Sequence, residues 1–215
     1  MDHADQTNSP NAEEWDERYA ERDQMWSGNP NHALAADIAD MPPGQALDVG
    51  CGEGADAIWL AERGWVVTAI DVSRVALDRA EAAARRRGVE VTWLLTGLVE
   101  ASLPSREFDL VSAQYPALMR TDGALAERAL LDAVAPEGIL LVVHHVDLGG
   151  HHSGGKPFDP EAFVHVEDVR AQLGAEWDIE VFEERHRDVR SGAGAGHTRD
   201  LVLRARRRLG QQGVT

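Results

Sequence analysis

The stretch from Ala46 to Gly54 limits the fold of this chain more than any other. A short apolar run carrying Asp48 breaks into a loop with glycine at every second position, Gly50, Gly52 and Gly54, and a helical pattern follows at once from Ala55 to Arg63. Glycine lacks a Cβ, tolerates positive φ and lets a ligand lie against the backbone. Strand, glycine loop and helix in this order therefore predict a nucleotide-type site in an α/β sheet.

The spacing narrows the ligand. A dinucleotide loop reads G-x-G-x-x-G and holds a pyrophosphate at the helix N-terminus. Here the spacing is Asp48-x-Gly50-x-Gly52-x-Gly54, and Ala55 stands where the third dinucleotide glycine would fall. Asp48 at the strand end and Glu53 in the loop repel a diphosphate and suit a ligand with positive charge. S-adenosylmethionine, with an ammonium, a sulfonium and no phosphate, fits that charge.

Residues 46 to 54 resemble the first motif of class I S-adenosylmethionine-dependent methyltransferases. The likeness runs on through Val66 to Asp71, Phe108 to Ser112 and Gly138 to Val143, covering the chain from about residue 15 to its last strand. Within that family the chain is similar to the small bacterial tellurite- and thiopurine-methyltransferase-like branch. The resemblance implies a Rossmann-like seven-stranded sheet, mostly parallel with an antiparallel closing strand and helices on both faces. Strands alternating with helices point the same way, because parallel pairing needs crossover helices.

A chain of 215 residues forms one domain with a substantial core. Its net charge of −16 argues against a general nucleic-acid footprint, which needs a basic face. The clusters Arg85 to Arg87 and Arg204 to Arg208 read as solvated element ends. Lys156 is the one lysine, a bias that points to a GC-rich, actinobacterial source. The single Cys51 forms no internal disulfide, and neither a signal peptide nor a long apolar run is present, so a cytoplasmic protein without membrane attachment is expected. Residues 1–11 are expected to be a disordered tail, 12–44 a helical arm capping the site, 45–208 the methyltransferase domain and 209–215 a flexible tail.

Strand by strand, Trp65 to Ile70 closes on Asp71. Ser73 caps a helix to Arg87 that Gly88 ends, and Val89 to Leu95 alternates as a third strand. Phe108 to Ala113, a helix over Asp122 to Val134, and Gly138 to Val146 follow. A short helix near Val166 to Leu173 precedes the closing pair Trp177 to Glu184 and Thr198 to Arg206. Ligands of such sheets sit beyond the carboxyl ends of the strands. Asp71 is thus placed to accept from a ribose diol, with Asp48, Gly50, Gly52 and Gly54 along the cofactor. Family members usually carry an acid after the third strand for the adenine amino group. Thr96-Gly97-Leu98 departs from that, which leaves the backbone of Gly97 and Leu98 for the ring edge and Val72 with Leu98 for its faces. Gln114 falls beside the methionine part. The resemblance also implies an N-terminal arm over the cofactor, supplied here by Trp15, Arg18, Tyr19 and Trp26.

Methyl transfer needs a placed acceptor and, for a hydroxyl, a base. His144 and His145 end the fifth strand in the right region. Neighbouring strand residues point to opposite faces, so at most one of them faces the site, with His144 preferred. Asp147, His144, His151 and His152, with His186, Arg187 and His197 nearby in the fold, are candidates for a divalent ion, magnesium being the expected one if carboxylate and water dominate. No zinc spacing occurs. The leading expectation is an O-methyltransferase that converts S-adenosylmethionine to S-adenosylhomocysteine on a small molecule, for instance a sugar such as a mannoside. Rival readings are a sulfur or tellurium acceptor, a silent cofactor-binding regulator, and a nicotinamide dehydrogenase. A homodimer is left open.

Overall fold

The computed structural model describes residues 11–146, 159–187 and 197–210. Most of the expected tails, the segment bearing Asp147, His151 and His152, and most of the glycine-rich connector before the last strand lie outside these residues.

Seven strands form one sheet among the described residues, in the order β3-β2-β1-β4-β5-β7-β6. They are β1 (Gln45–Val49), β2 (Val66–Asp71), β3 (Thr92–Leu95), β4 (Phe108–Gln114), β5 (Val134–His145), β6 (Trp177–His186) and β7 (Arg199–Arg207). Pairing is parallel from β3 through β5, and β7 runs antiparallel to both β5 and β6. The Rossmann-like architecture expected from the sequence is therefore the one observed. Ala46 to Val49 are all buried, as a central parallel strand covered on both faces requires. Along β5, Leu140 and Val142 enter one core while Ile139, Leu141 and Val143 enter the other. That period of two splits the apolar run between the two helix layers.

The helices are α1 (Ala12–Ala20), α2 (His32–Asp37), α3 (Ala55–Ala61), α4 (Arg74–Arg87), α5 (Leu125–Ala133) and α6 (Val166–Ala171). On α4, Ser73 Oγ accepts from the Ala76 N–H at 3.1 Å, and Gly88 closes the helix at φ +70°. The same cap explains why β3 starts at Thr92 and not at Val89: the Val89 N–H is spent on the Ala84 carbonyl at 3.2 Å. Helix α5 starts three residues later than expected, because Ala124 takes φ +56° and Thr121 Oγ accepts from the Leu125 N–H. Strand β5 starts earlier, at Val134, which pairs with Phe108 across a register shift.

The chain runs outward through β1, β2 and β3, then returns to lay β4 against the other side of β1. This reversal opens a crevice beyond the carboxyl ends of β1 and β4, the usual ligand position in such sheets.

Candidate active site

A single cavity occupies that crevice. Its floor is the loop after β1, from Asp48 to Glu53 with Ala55 and Asp56. Ile70, Asp71 and Val72 wall one side, Thr96, Gly97 and Leu98 extend it, and Gln114 through Leu118 form the other side. Trp15, Tyr19, Trp26 and Asn31 close it from the arm, while His145 and Arg187 stand at the far end.

The glycines have separate duties. Gly50 and Gly52 line the cavity at φ +70° and +53°, and a Cβ on Gly52 would meet Tyr19 Oη at 2.7 Å. Gly54 does not line it. A Cβ there would strike the Ala80 side chain and Trp93 at 2.8 Å, so Gly54 lets α3 and the loop pack against α4 and β3. Gly54, expected along the cofactor, is thus placed by the structure outside the cavity lining and against α4 and β3.

Three acids are buried under the cavity: Asp48, Asp56 and Asp71, between 2% and 8% exposed. Asp71 accepts from the N–H of Gly52 at 2.8 Å and of Ser73 at 2.9 Å, and burial raises its carboxyl. A carboxylate has about four lone-pair sites, so acceptor capacity for a diol remains. Asp56 receives the backbone and side-chain N–H of Asn31, both at 2.7 Å. Burial, then the charges of Asp56 and Asp71, push Asp48 well above the ordinary carboxylate range, and its Oδ2 has no hydrogen-bond partner among the described residues. Gln114 is similar: its Nε2 donates to Ser112 Oγ at 3.1 Å, and its buried Oε1 has no partner there. Two unmet acceptors at adjacent strand ends, Asp48 Oδ2 and Gln114 Oε1, with the further acids Asp56 and Asp71 beside them, make a pocket suited to a cation with N–H donors. The site thus fits the ammonium and sulfonium of S-adenosylmethionine. Asp48, Asp71 and Gln114 would hold the cofactor's polar groups, and Val72 and Leu98 line the wall for its base.

Glu53 has a different role from the one its charge suggests. It accepts from the N–H of Met25 and Trp26 at 3.0–3.2 Å and pairs with Arg79 at 3.0 Å. Arg79 also donates to the carbonyls of Tyr19 and Arg22. The side chain of Asp16 receives the Ser73 hydroxyl and the Val75 N–H at the start of α4. These contacts hold the arm over the loop and place Trp15, Tyr19 and Trp26 in the cavity wall. Arg18, also expected at the cofactor, is outside the cavity lining: it pairs with Glu14 one turn away and lies over the Trp15 ring.

The structure places the two histidines differently, with His145 in the cavity lining and His144 outside it. His144 Nδ1 accepts the His145 backbone N–H at 3.0 Å, and burial, with His145 and His165 nearby, lowers its pKa to about 4. Its basic nitrogen is already occupied. His145 is the one that lines the cavity, with Nδ1 3.0 Å from Asp200 Oδ1 and its ring stacked on Tyr115 and His197. Among the described residues no group of three or more His, Cys, Asp or Glu is arranged to hold a metal ion. His186 is exposed, and Arg187 lies over the Tyr115 ring. Tyr115, Asp56 and Asn31 in the cavity lining, with Asp200 and Arg79 bonded to lining residues, are positions that sequence pattern alone did not single out. Only Tyr115, directly after Gln114, carried a signal of position.

Comparison with known proteins agrees with this geometry. Residues 46–138 match the family described as "Methyltransferase domain". An uncharacterized methyltransferase of Mycobacterium tuberculosis is 36% identical over 126 residues, 58% of this chain and 62% of that protein. The chain thus matches less than two thirds of that relative's length. A solved structure described as "Conversion of a Disulfide Bond into a Thioacetal Group during Echinomycin Biosynthesis" superposes with a TM-score of 0.73 at 22% identity, over 94% of this chain and 95% of the other. The N-methyltransferase NodS from Bradyrhizobium japonicum, in complex with S-adenosyl-L-homocysteine, gives a TM-score of 0.66 at 21% identity over 92% and 98%. The seven-stranded sheet of the described residues has the Rossmann-like methyltransferase fold.

Proposed function

We propose that the protein is an S-adenosylmethionine-dependent methyltransferase that methylates a hydroxyl of a small molecule, with His145 as general base. One observation carries the reading: a single cavity joins the acidic floor of Asp48 and Asp71 to the imidazole of His145. The cofactor supplies a methyl carbon bound to sulfonium, so the new O–C bond forms as the C–S bond breaks and its electron pair stays on sulfur. The chain's share is to hold the acceptor in line, keep water out beneath the arm, and take the hydroxyl proton on Nε2 of His145. An unactivated alcohol needs that base most, which favours a sugar hydroxyl such as that of a mannoside. No helix among the described residues is long and apolar enough to cross a membrane, in keeping with a cytoplasmic enzyme and a diffusible acceptor.

A sulfur acceptor is the second reading, favoured by the fold shared with the protein of echinomycin biosynthesis, where a disulfide bond becomes a thioacetal group. Thiolates attack without a strong base, so the two readings part at His145. Purified protein would be given labelled cofactor with a methyl mannoside and, separately, a small thiol. Replacing His145 with alanine is expected to lower hydroxyl methylation by roughly 10²–10⁴-fold. His144→Asn, which retains an acceptor for the His145 N–H, keeps most of the activity. Equal hydroxyl turnover in wild type and His145→Ala would refute the base assignment. Turnover on the thiol alone would favour the second reading, and none on any acceptor despite tight cofactor binding would favour a silent regulator.

A further inference from the structure

We propose that Asp200, on the closing strand β7, is a positioning residue that holds His145 with its proton on Nδ1 and its Nε2 bare toward the cavity, and that Tyr115 fixes the Asp200 carboxylate for that task. The role rests on the reading of His145 as the base, though the arrangement itself does not.

Strand register creates the pair. Antiparallel β5 and β7 set His145 directly opposite Asp200, so the two side chains share one face of the sheet. Asp200 is 6% exposed, and its oxygens are divided: Oδ1 lies 3.0 Å from His145 Nδ1, while Oδ2 receives the Tyr115 hydroxyl at 2.6 Å with Arg187 Nε 3.6 Å away. Burial and the adjacent Asp200 raise the Tyr115 phenol far above its usual range, so Tyr115 donates and does not accept. The guanidinium of Arg187 compensates the buried charge. A carboxylate accepts only, and the hydrogen on the His145–Asp200 contact therefore belongs to Nδ1. That leaves Nε2 as the basic atom. His144 holds the opposite tautomer, its Nδ1 being the acceptor of a backbone N–H.

Two further features keep this arrangement in place. The His145 ring lies between Tyr115, with centroids 4.3 Å apart, and His197 at 3.8 Å, which opposes rotation. Tyr115 itself takes φ +54°, a left-handed backbone that a non-glycine residue adopts only when its surroundings dictate it. That turn directly after β4, pinned by the Tyr115 N–H to the Val143 carbonyl at 2.8 Å, lays the phenol over β5 and against Asp200.

The test reads the tautomer directly. Long-range proton–nitrogen correlation spectra of labelled protein saturated with S-adenosylhomocysteine would assign the His145 nitrogens at a pH where the ring is neutral. Wild type is expected to show Nδ1 protonated. Asp200→Asn should reverse this, because Tyr115 and Arg187 draw the amide oxygen to their side and turn the NH₂ toward Nδ1. Asp200→Glu, which keeps the charge on a side chain one methylene longer, should retain the wild-type pattern, and the wild-type spectrum alone decides the tautomer if the amide variant does not fold. On a hydroxyl probe, Asp200→Asn should lower kcat roughly 10²–10⁴-fold with little change in KM. A purely structural Asp200 would lower the melting temperature without moving the tautomer. Protonation of Nε2 in wild type, or an unchanged tautomer in Asp200→Asn, overturns the proposal. The spectrum needs no turnover, so its failure is separate from that of the base assignment, which His145→Ala reports.

Discussion

Replacing Asp48 with asparagine tests whether the floor of the site is tuned for a cation. The side chain is 2% exposed, its Oδ2 has no partner among the described residues, and Asp56 and Asp71 add like charge. Asparagine keeps the shape and removes the charge. Without cofactor, the variant should gain about 1–2 kcal/mol by losing an uncompensated buried charge, which for a chain of this size raises Tm by about 2–8 °C. With cofactor the sign reverses. A carboxylate about 5 Å from an ammonium at an effective dielectric near 20 contributes about 3 kcal/mol, of which the remaining acids recover part. A net loss of about 2 kcal/mol corresponds to roughly thirtyfold weaker binding. The pH dependence follows from the raised folded-state pKa. The wild-type penalty grows as pH rises from the unfolded value through the folded one, so the stability gap should close as pH falls toward 3.8. Thermal melts across pH and titration calorimetry with S-adenosylhomocysteine measure both effects. A variant that melts lower at neutral pH and binds with unchanged affinity would show that Asp48 is a structural acid and refute the electrostatic reasoning.

Arg79→Ala should loosen the arm, since it removes the partner of the nearly buried Glu53 and two donors to the carbonyls of Tyr19 and Arg22. Faster amide exchange from Tyr19 to Trp26 and roughly tenfold weaker S-adenosylhomocysteine binding are expected, while exchange in β4 and β5 stays as it was. Equal protection of the arm in the variant would count against the latch. His144 provides an acid-stability signature. Its folded pKa is lowered to about 4 from 6.5, so its contribution is complete above 6.5 and fades as pH falls toward 4. That shift amounts to about 3 kcal/mol, and His144→Asn should move the acid-unfolding midpoint to lower pH. An unmoved midpoint would mean that His144 is not the group held neutral.

The half of the cavity around the glycine loop was legible because its determinants are local. Gly50, Gly52 and Asp71 act within a span of about twenty residues, and their backbone demands are written in residue types with few alternatives. Even there, local reading assigned charge without its partner: Glu53 looked like cofactor electrostatics, yet Arg79 on α4 and the arm consume it. Gly54 looked like a ligand glycine, yet Ala80 and Trp93 fill the space its Cβ would need. The acceptor half was not legible, for a reason of topology. His145 and Asp200 meet only because β7 enters the sheet antiparallel beside β5, fifty-five residues later in the chain. Tyr115 joins them through a left-handed turn that its sequence context does not announce. Alternation along β5 limits the two adjacent histidines to at most one facing the cavity, and His145 is the one that lines it, but alternation has no absolute phase until a neighbouring strand supplies one. Asp200 supplies it. On the proposed reading, the residue that faces His145 and not His144 is also the one that sets which nitrogen of His145 is bare, so a single carboxylate on the closing strand would determine both the identity of the base and its tautomer.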